Sequence, residues 1–124
     1  RNDSRALQVK ADPIHNSQTV PIIVIVSEDT VSYGEIFAGV LKDLGRAKVV
    51  GQTSLGNVEV LHGYNFDDNS QVWIASETFY SATSETNFEL SGIIPDVEAF
   101  AEWDTITFET DPSIKAALGL LGHQ

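Results

Sequence analysis

The chain has 124 residues, one domain's length or part of one, and its hydrophobic fraction of 42% is ordinary for a chain that builds a real core. Acids outnumber bases 18 to 7, a formal charge of −11, and the bases form no cluster, which argues against a nucleic-acid footprint. The absence of cysteine excludes disulfides, thiolate chemistry and cysteine-ligated zinc, and no apolar run approaches the roughly 20 residues of a membrane span. With Arg1 in first place and no methionine anywhere, the sequence is read as a piece of a longer protein.

Residues 1–19 are polar, with one short extended candidate at Ala6–Lys10 and turn signals at Asp12-Pro13 and Asn16-Ser17. Val20 to Val26 is apolar at every position after Pro21, the pattern of a strand covered on both faces in a parallel sheet. A helix is expected from Ile36 to Leu44, with Ile36, Phe37, Val40, Leu41 and Leu44 on one stripe, Gly45 at C′, and Arg46 favouring the C-terminal end. Ala47 to Val50 then reads as a second strand, completing a right-handed βαβ unit.

Gly51 to Asn57 is a glycine-flanked loop. Val58–Tyr64 and Gln71–Thr78 read as strands of a hairpin turned at Asp67-Asp68-Asn69-Ser70. Phe79–Ser91 is rich in Ser, Thr and Glu and reads as a surface loop, followed by a short apolar segment, Gly92 to Val97, interrupted by Pro95. In the mixed stretch Glu98–Thr110, Trp103, Ile106 and Phe108 are the expected packing contacts. Asp111-Pro112 opens the last helix as N-cap and N1, with Ile114, Ala117, Leu118 and Leu121 as its apolar face. The fold class is therefore α/β: a mainly parallel sheet with a crossover helix, extended by a hairpin, with residues 20–121 as the core.

The chemistry-bearing stretch is Thr30-Val31-Ser32-Tyr33-Gly34-Glu35, where the buried strand turns into the helix. Ser32 stands at the open end of a sheet beside a helix N-terminus, where α/β enzymes place reacting groups. Ser32-x-x-Glu35 before an apolar run is also a capping box, and a serine can begin a helix and still be reactive. No His, Asp and Glu spacing makes a metal site, no cofactor is implied, and the Gly51–Gly56 loop lacks the Lys and following helix of a phosphate loop. His15, His62 and His123 read as structural or solvated residues.

Two blocks carry a family resemblance. The first contains Thr30, Ser32, Glu35, Ile36, Ala38, Gly39, Asp43, Gly45, Arg46, Ala47, Gly51 and Gly56; the second is Glu89-Leu90-Ser91-Gly92-Ile93-Ile94-Pro95-Asp96. Together they resemble the carboxy-terminal processing, or tail-specific, serine proteases. The resemblance implies a fold related to the ClpP/crotonase group, here its C-terminal part, and a peptidase in which Ser32 is the nucleophile and the Tyr33 N–H an oxyanion donor. It implies a polypeptide substrate and points to an extracytoplasmic or membrane-associated setting, with no membrane insertion in this segment. One branch of the family pairs the serine with a lysine 25 residues later, a place held here by Asn57. Asn has no titratable lone pair near neutral pH, and Lys42 and Lys48 lie at the wrong end of the unit to replace that lysine. In the second, tricorn-like branch a Ser/His pair is assisted by a Glu in the later block. By that match Glu89 would orient a histidine supplied from chain upstream of Arg1, and the 124 residues alone would be inactive.

Each assignment has a plainer counterpart. Glu89 also reads as a surface carboxylate, Asp43 as a helix-surface acid or partner of Arg46, and Asn57 as a turn residue rather than a substrate contact. Glu59 shares the strand face of Asn57 and is a weaker candidate. The alternative to the peptidase is a non-catalytic ligand- or protein-binding module on the same fold.

Overall fold

The computed structural model describes residues 14–15, 17–100 and 102–122. The expected strand at Ala6–Lys10, the Asp12-Pro13 turn and His123 lie outside the described residues, as does the Trp103 side chain. The first βαβ unit runs β1 (Ile23–Val26), α1 (Tyr33–Asp43) and β2 (Lys48–Gly51). Two strands, β3 (Val60–Asn65) and β4 (Gln71–Glu77), follow. The chain then forms a single helical turn, α2 (Phe88–Ser91), a two-residue strand, β5 (Val97–Glu98), a 3₁₀ turn at Trp103–Thr105, and α3 (Pro112–Leu120).

The three-stranded sheet has the order β1-β2-β5 and is parallel throughout. Ile23 pairs with Lys48 and Val26 with Gly51, so the C-terminal ends of β1 and β2 lie side by side. That alignment demands glycine at 51. Its φ is +125°, and a Cβ there would lie 1.9 Å from the Val26 carbonyl oxygen. Val49 and Val50 point to opposite faces of β2 and both are fully buried, so the central strand is covered on both sides. Helices α1 and α3 both pack on β1 and β2. Val26, Ala38, Val49, Val58, Phe88 and Ile93 form the core cluster, with Val24, Ile36 and Phe79 packed against it.

The hairpin is a separate antiparallel sheet, with the turn at Asp67–Asn69 where the sequence places it. Its strands stay largely exposed, including Tyr64, Val72, Trp73 and Ile74.

Three expectations are corrected. The buried face of α1 is Glu35, Ala38 and Gly39, while Phe37, Val40 and Leu44 of the apolar stripe are exposed. The reason is close approach: the Phe88 ring and Ile93 sit so near Gly39 that a Cβ would meet the ring at 2.8 Å, and only small residues fit under it. The supposed loop 79–91 contains α2, whose Phe88 is 5% exposed and belongs to the core. Phe108 is 73% exposed rather than packed. β5 was concealed in sequence by its length: Pro95 ends the apolar run just before it, and only Val97 and Glu98 join the ladder. At the far end, Asp111 accepts from the N–H groups of Ser113 and Ile114 as the N-cap of α3, with Pro112 beginning the helix.

Candidate active site

The turn after β1 is built by side chain and backbone together. Thr30 Oγ1 accepts from Ser27 N–H at 2.9 Å, and the Thr30 N–H returns to the Ser27 carbonyl at 2.9 Å. Ser32 follows as the N-cap of α1 with φ 59° and ψ −126°. A side chain held there stores on the order of 1–3 kcal/mol of backbone strain, which neighbouring contacts must offset. Those contacts are present. The Ser32 N–H donates to the Asn57 carbonyl at 2.8 Å and to Glu35 Oε2 at 3.2 Å, and the Leu55 N–H donates to the Thr30 carbonyl at 3.1 Å. Segments 30–32 and 55–57 are thus joined backbone to backbone.

Glu35 lies at the centre of this junction. It is fully buried. Its Oε1 accepts from Ser54 Oγ at 2.5 Å and from the Gly56 N–H at 2.6 Å. Its Oε2 accepts from the Asn57 N–H at 2.9 Å as well as from Ser32. Ser54 Oγ in turn accepts from the Ile93 N–H at 2.6 Å, tying in the segment after α2. Four donors on one carboxylate compensate for much of its desolvation. The capping box read from Ser32-x-x-Glu35 is therefore present in outline, with Glu35 closing it onto the Ser32 N–H. On the other side of the box the Ser32 side chain stands over the Glu35 N–H, which donates to the Ser32 carbonyl at 3.0 Å.

The Tyr33 N–H is the first of α1 and donates to no acceptor among the described residues. It is an orphan donor at the positive end of the helix, immediately after Ser32.

Glu89 is half-buried on α2. Asn87 caps that turn by accepting from the Glu89 N–H at 3.0 Å, and Glu89 Oε2 accepts from the Val58 N–H at 2.6 Å. Val58 follows Asn57, so Glu89 is joined through one stretch of backbone to the carbonyl that holds Ser32. Asn57 itself engages the site through its main chain, N–H to Glu35 and carbonyl from Ser32, and its residue is exposed.

A cavity of about 140 Å³ opens beside Ser32 and Tyr33, walled by Ile36, Val58, Glu59, Val60, Leu61 and Phe79. Glu59, given little weight from sequence, is part of it.

The remaining candidates lie elsewhere. Lys42 Nζ bonds to the Ile94 carbonyl and lies 3.6 Å from Asp96 Oδ1; Lys48 Nζ lies 3.8 Å from the same oxygen. Both lysines are thereby held around Asp96, whose Oδ2 accepts from the Val49 N–H. Arg46 reaches back to the carbonyls of Ser17 and Val20, fastening the approach to β1. His62 packs its ring edge-on against Tyr64, with centroids 4.9 Å apart, and His15 is exposed.

Peptidase family S41 matches residues 1–99 of this chain. The chain belongs to that family. A "Probable CtpA-like serine protease" of Staphylococcus aureus is 26% identical over 137 residues, covering 98% of this chain and 27% of the relative. The chloroplastic "Carboxyl-terminal-processing peptidase 3" of Arabidopsis thaliana is 29% identical over 102 residues, covering 82% of this chain and 20% of the relative. The S41 chain described here therefore spans about a quarter of the length of the curated relatives it matches. Among solved structures, the photosystem II D1 C-terminal processing protease superposes with a TM-score of 0.64 at 25% identity, over 82% of this chain and 25% of that one. The tricorn protease superposes with a TM-score of 0.58 at 26% identity, over 82% of this chain and 10% of that one. The parallel sheet, crossover helix and hairpin are thus an S41 protease architecture. No helix among the described residues is long and apolar enough to cross a membrane.

Proposed function

We propose that this chain is the serine-bearing part of a serine endopeptidase that hydrolyses peptide bonds in a polypeptide substrate. The observation that carries the reading is Ser32: a strained, clamped residue at the N-terminus of α1, followed by a Tyr33 N–H with no acceptor among the described residues, in an S41 chain. Ser32 Oγ attacks the scissile carbonyl while a base takes its proton. The carbonyl oxygen, now negative, accepts from the Tyr33 N–H. The intermediate collapses with protonation and loss of the amine, and water releases the acyl group by the same route in reverse.

With Asn57 where a lysine base would stand, we assign the base to a histidine outside these 124 residues, oriented by Glu89. Glu89 supports that role because Val58 fixes one of its oxygens and no residue described here bonds the other. Asn57 acts through its main chain, holding Ser32. The isolated 124 residues are then expected to show no hydrolysis.

The same Asn57 favours a second reading, a binding module that has lost its catalytic base. One experiment separates the two. The longest natural polypeptide carrying this sequence is treated with a serine-directed fluorophosphonate. Labelling that maps to Ser32 and vanishes in Ser32→Ala supports the peptidase. A protein that folds, binds apolar ligand and takes no label is the binding module.

A further inference from the structure

Glu35 is the one charged side chain among the buried described residues. All four groups on its oxygens donate to it, and three of them are main-chain N–H groups that can do nothing else. The carboxylate therefore accepts throughout and keeps its negative charge. No cation among the described residues offsets it. Lys42 and Lys48 gather at Asp96, Arg46 bonds to the Ser17 and Val20 carbonyls, Lys115 is exposed on α3, and His62 sits against Tyr64 in the hairpin. Helix α1 packs on β1, β2 and α2. β1 has no titratable residue, and β2 has only Lys48, at the end away from Ser32. Glu89 on α2 bonds to the Val58 N–H, Glu59 follows Val58, and Glu28 and Asp29 are exposed in the turn after β1. On α1 itself Tyr33 is exposed, and Lys42 and Asp43 lie at the far end.

Ser32 reacts only by giving up its hydroxyl proton, and the group that takes it must lie within hydrogen-bond reach of Ser32 Oγ, about 3 Å. The Ser32 nitrogen is 3.2 Å from Glu35 Oε2. Oγ lies within about 4 Å of that nitrogen, so the base stands roughly 10 Å or less from the buried carboxylate. A buried charge is screened less than one in water, and a negative charge favours the protonated form of any base beside it. We infer that Glu35, through its charge, sets the pH range in which Ser32 reacts, holding the proton on the base to a higher pH than the base alone would require. The inference rests on Ser32 being the nucleophile. To hold the loops Glu35 need only accept hydrogen bonds; to act on the base it must be ionised. Substitution separates the two.

The test is the pH profile of Ser32 labelling by a serine-directed fluorophosphonate, on the longest natural polypeptide carrying this sequence. Ser32 Oγ joins phosphorus, fluoride leaves, and the base takes the hydroxyl proton, so the rate rises with pH as the base loses its own proton. In Glu35→Gln, nearly the same shape without the charge, the midpoint of that rise is expected about 0.5 to 1 pH unit lower, the effect of one charge near 10 Å in a partly screened medium. Ser54→Ala loosens the same junction at constant charge and should leave the midpoint within about 0.3 unit, whatever its plateau rate. Thermal melting sets an assay temperature at which each variant is folded, and Glu35→Met, neutral and of similar size, is the second variant if Glu35→Gln does not fold. A midpoint unchanged in the folded neutral variant, or shifted equally in Ser54→Ala, overturns the role of the charge while leaving the serine reading intact. No labelling of Ser32 in the wild type at any pH overturns the serine reading, and this inference with it.

Discussion

Removing the Glu35 carboxylate tests the site's construction independently of its chemistry. Glu35 accepts from three main-chain N–H groups and one hydroxyl, and all four donors stand in the loops that frame Ser32. Glu35→Ala leaves three of them without an acceptor, the Gly56 and Asn57 N–H groups and the Ser54 hydroxyl, while the Ser32 N–H keeps the Asn57 carbonyl. An unpaired buried donor costs about 1–3 kcal/mol, and because water can enter the space vacated, the low end applies to each. The expected destabilisation is roughly 3 kcal/mol, a large part of a typical domain's stability of about 5–15 kcal/mol. Glu35→Gln keeps the shape and one acceptor oxygen, so about half the loss, roughly 1.5 kcal/mol, is expected. Urea unfolding followed by tryptophan fluorescence gives the magnitude; with a slope near 2 kcal/mol per molar, the Glu35→Ala midpoint falls by roughly 1.5 M. Amide hydrogen exchange gives the location: Gly56 and Asn57 should lose protection in Glu35→Ala before the strands do. A Glu35→Ala protein within about 1 kcal/mol of the parent, or one with those two amides still protected, would refute the reasoning.

The other expectations follow from single contacts. Ser32→Gly should be more stable than Ser32→Ala by about 1 kcal/mol, because glycine accepts a positive φ and alanine does not; calorimetry showing the reverse order would mean that the turn is not strained. Gly51→Ala places a methyl against the Val26 carbonyl and should cost about 3 kcal/mol or more, read as loss of soluble folded protein or a large drop in melting temperature. The Ser70 hydroxyl and N–H bond to Asp68 and hold its carboxyl below the usual carboxylate value of 3.8. Its contribution to stability is present above the unfolded value and fades as pH falls through the lowered one; Ser70→Ala should move the carboxyl titration, followed by NMR, back towards 3.8. Finally, the isolated 124 residues should cleave no peptide substrate, and hydrolysis that disappears in Ser32→Ala would contradict a base supplied from elsewhere.

Local signals in the sequence were strong wherever geometry is decided by neighbours along the chain. The crossover helix, its stop at Gly45, the hairpin turn and the Asp111-Pro112 start are all where composition and spacing put them. Long-range packing was not legible in the same way. The stripe of α1 suggested a helix buried on its bulky side, but tertiary contact with Phe88 selected the side made of Ala38 and Gly39. β5 has only two residues and exists because β2 offers an edge. Within the site, Ser32 and Glu35 were visible as a pair three residues apart. That Glu35 also grips Ser54, Gly56 and Asn57 could not be read from a spacing of about 20 residues across a loop. Glu59 was discounted on strand alternation, yet it precedes β3 and stands in the cavity wall.

The joining of segments 30–35 and 54–57 sets a rule for recombining this sequence with its relatives. A chimaera with its crossover anywhere between Glu35 and Ser54 takes the Ser32 turn from one parent and its retaining loop from the other. The two must then agree on the position of a carbonyl at residue 57 and on a hydroxyl at 54, although they contribute to different parts of the alignment. Crossovers placed before Thr30 or after Val58 keep the pair together as one inherited cassette. Loop swaps intended to alter selectivity beside Ser32 should for the same reason begin at Glu59, downstream of the residues that hold the serine in place.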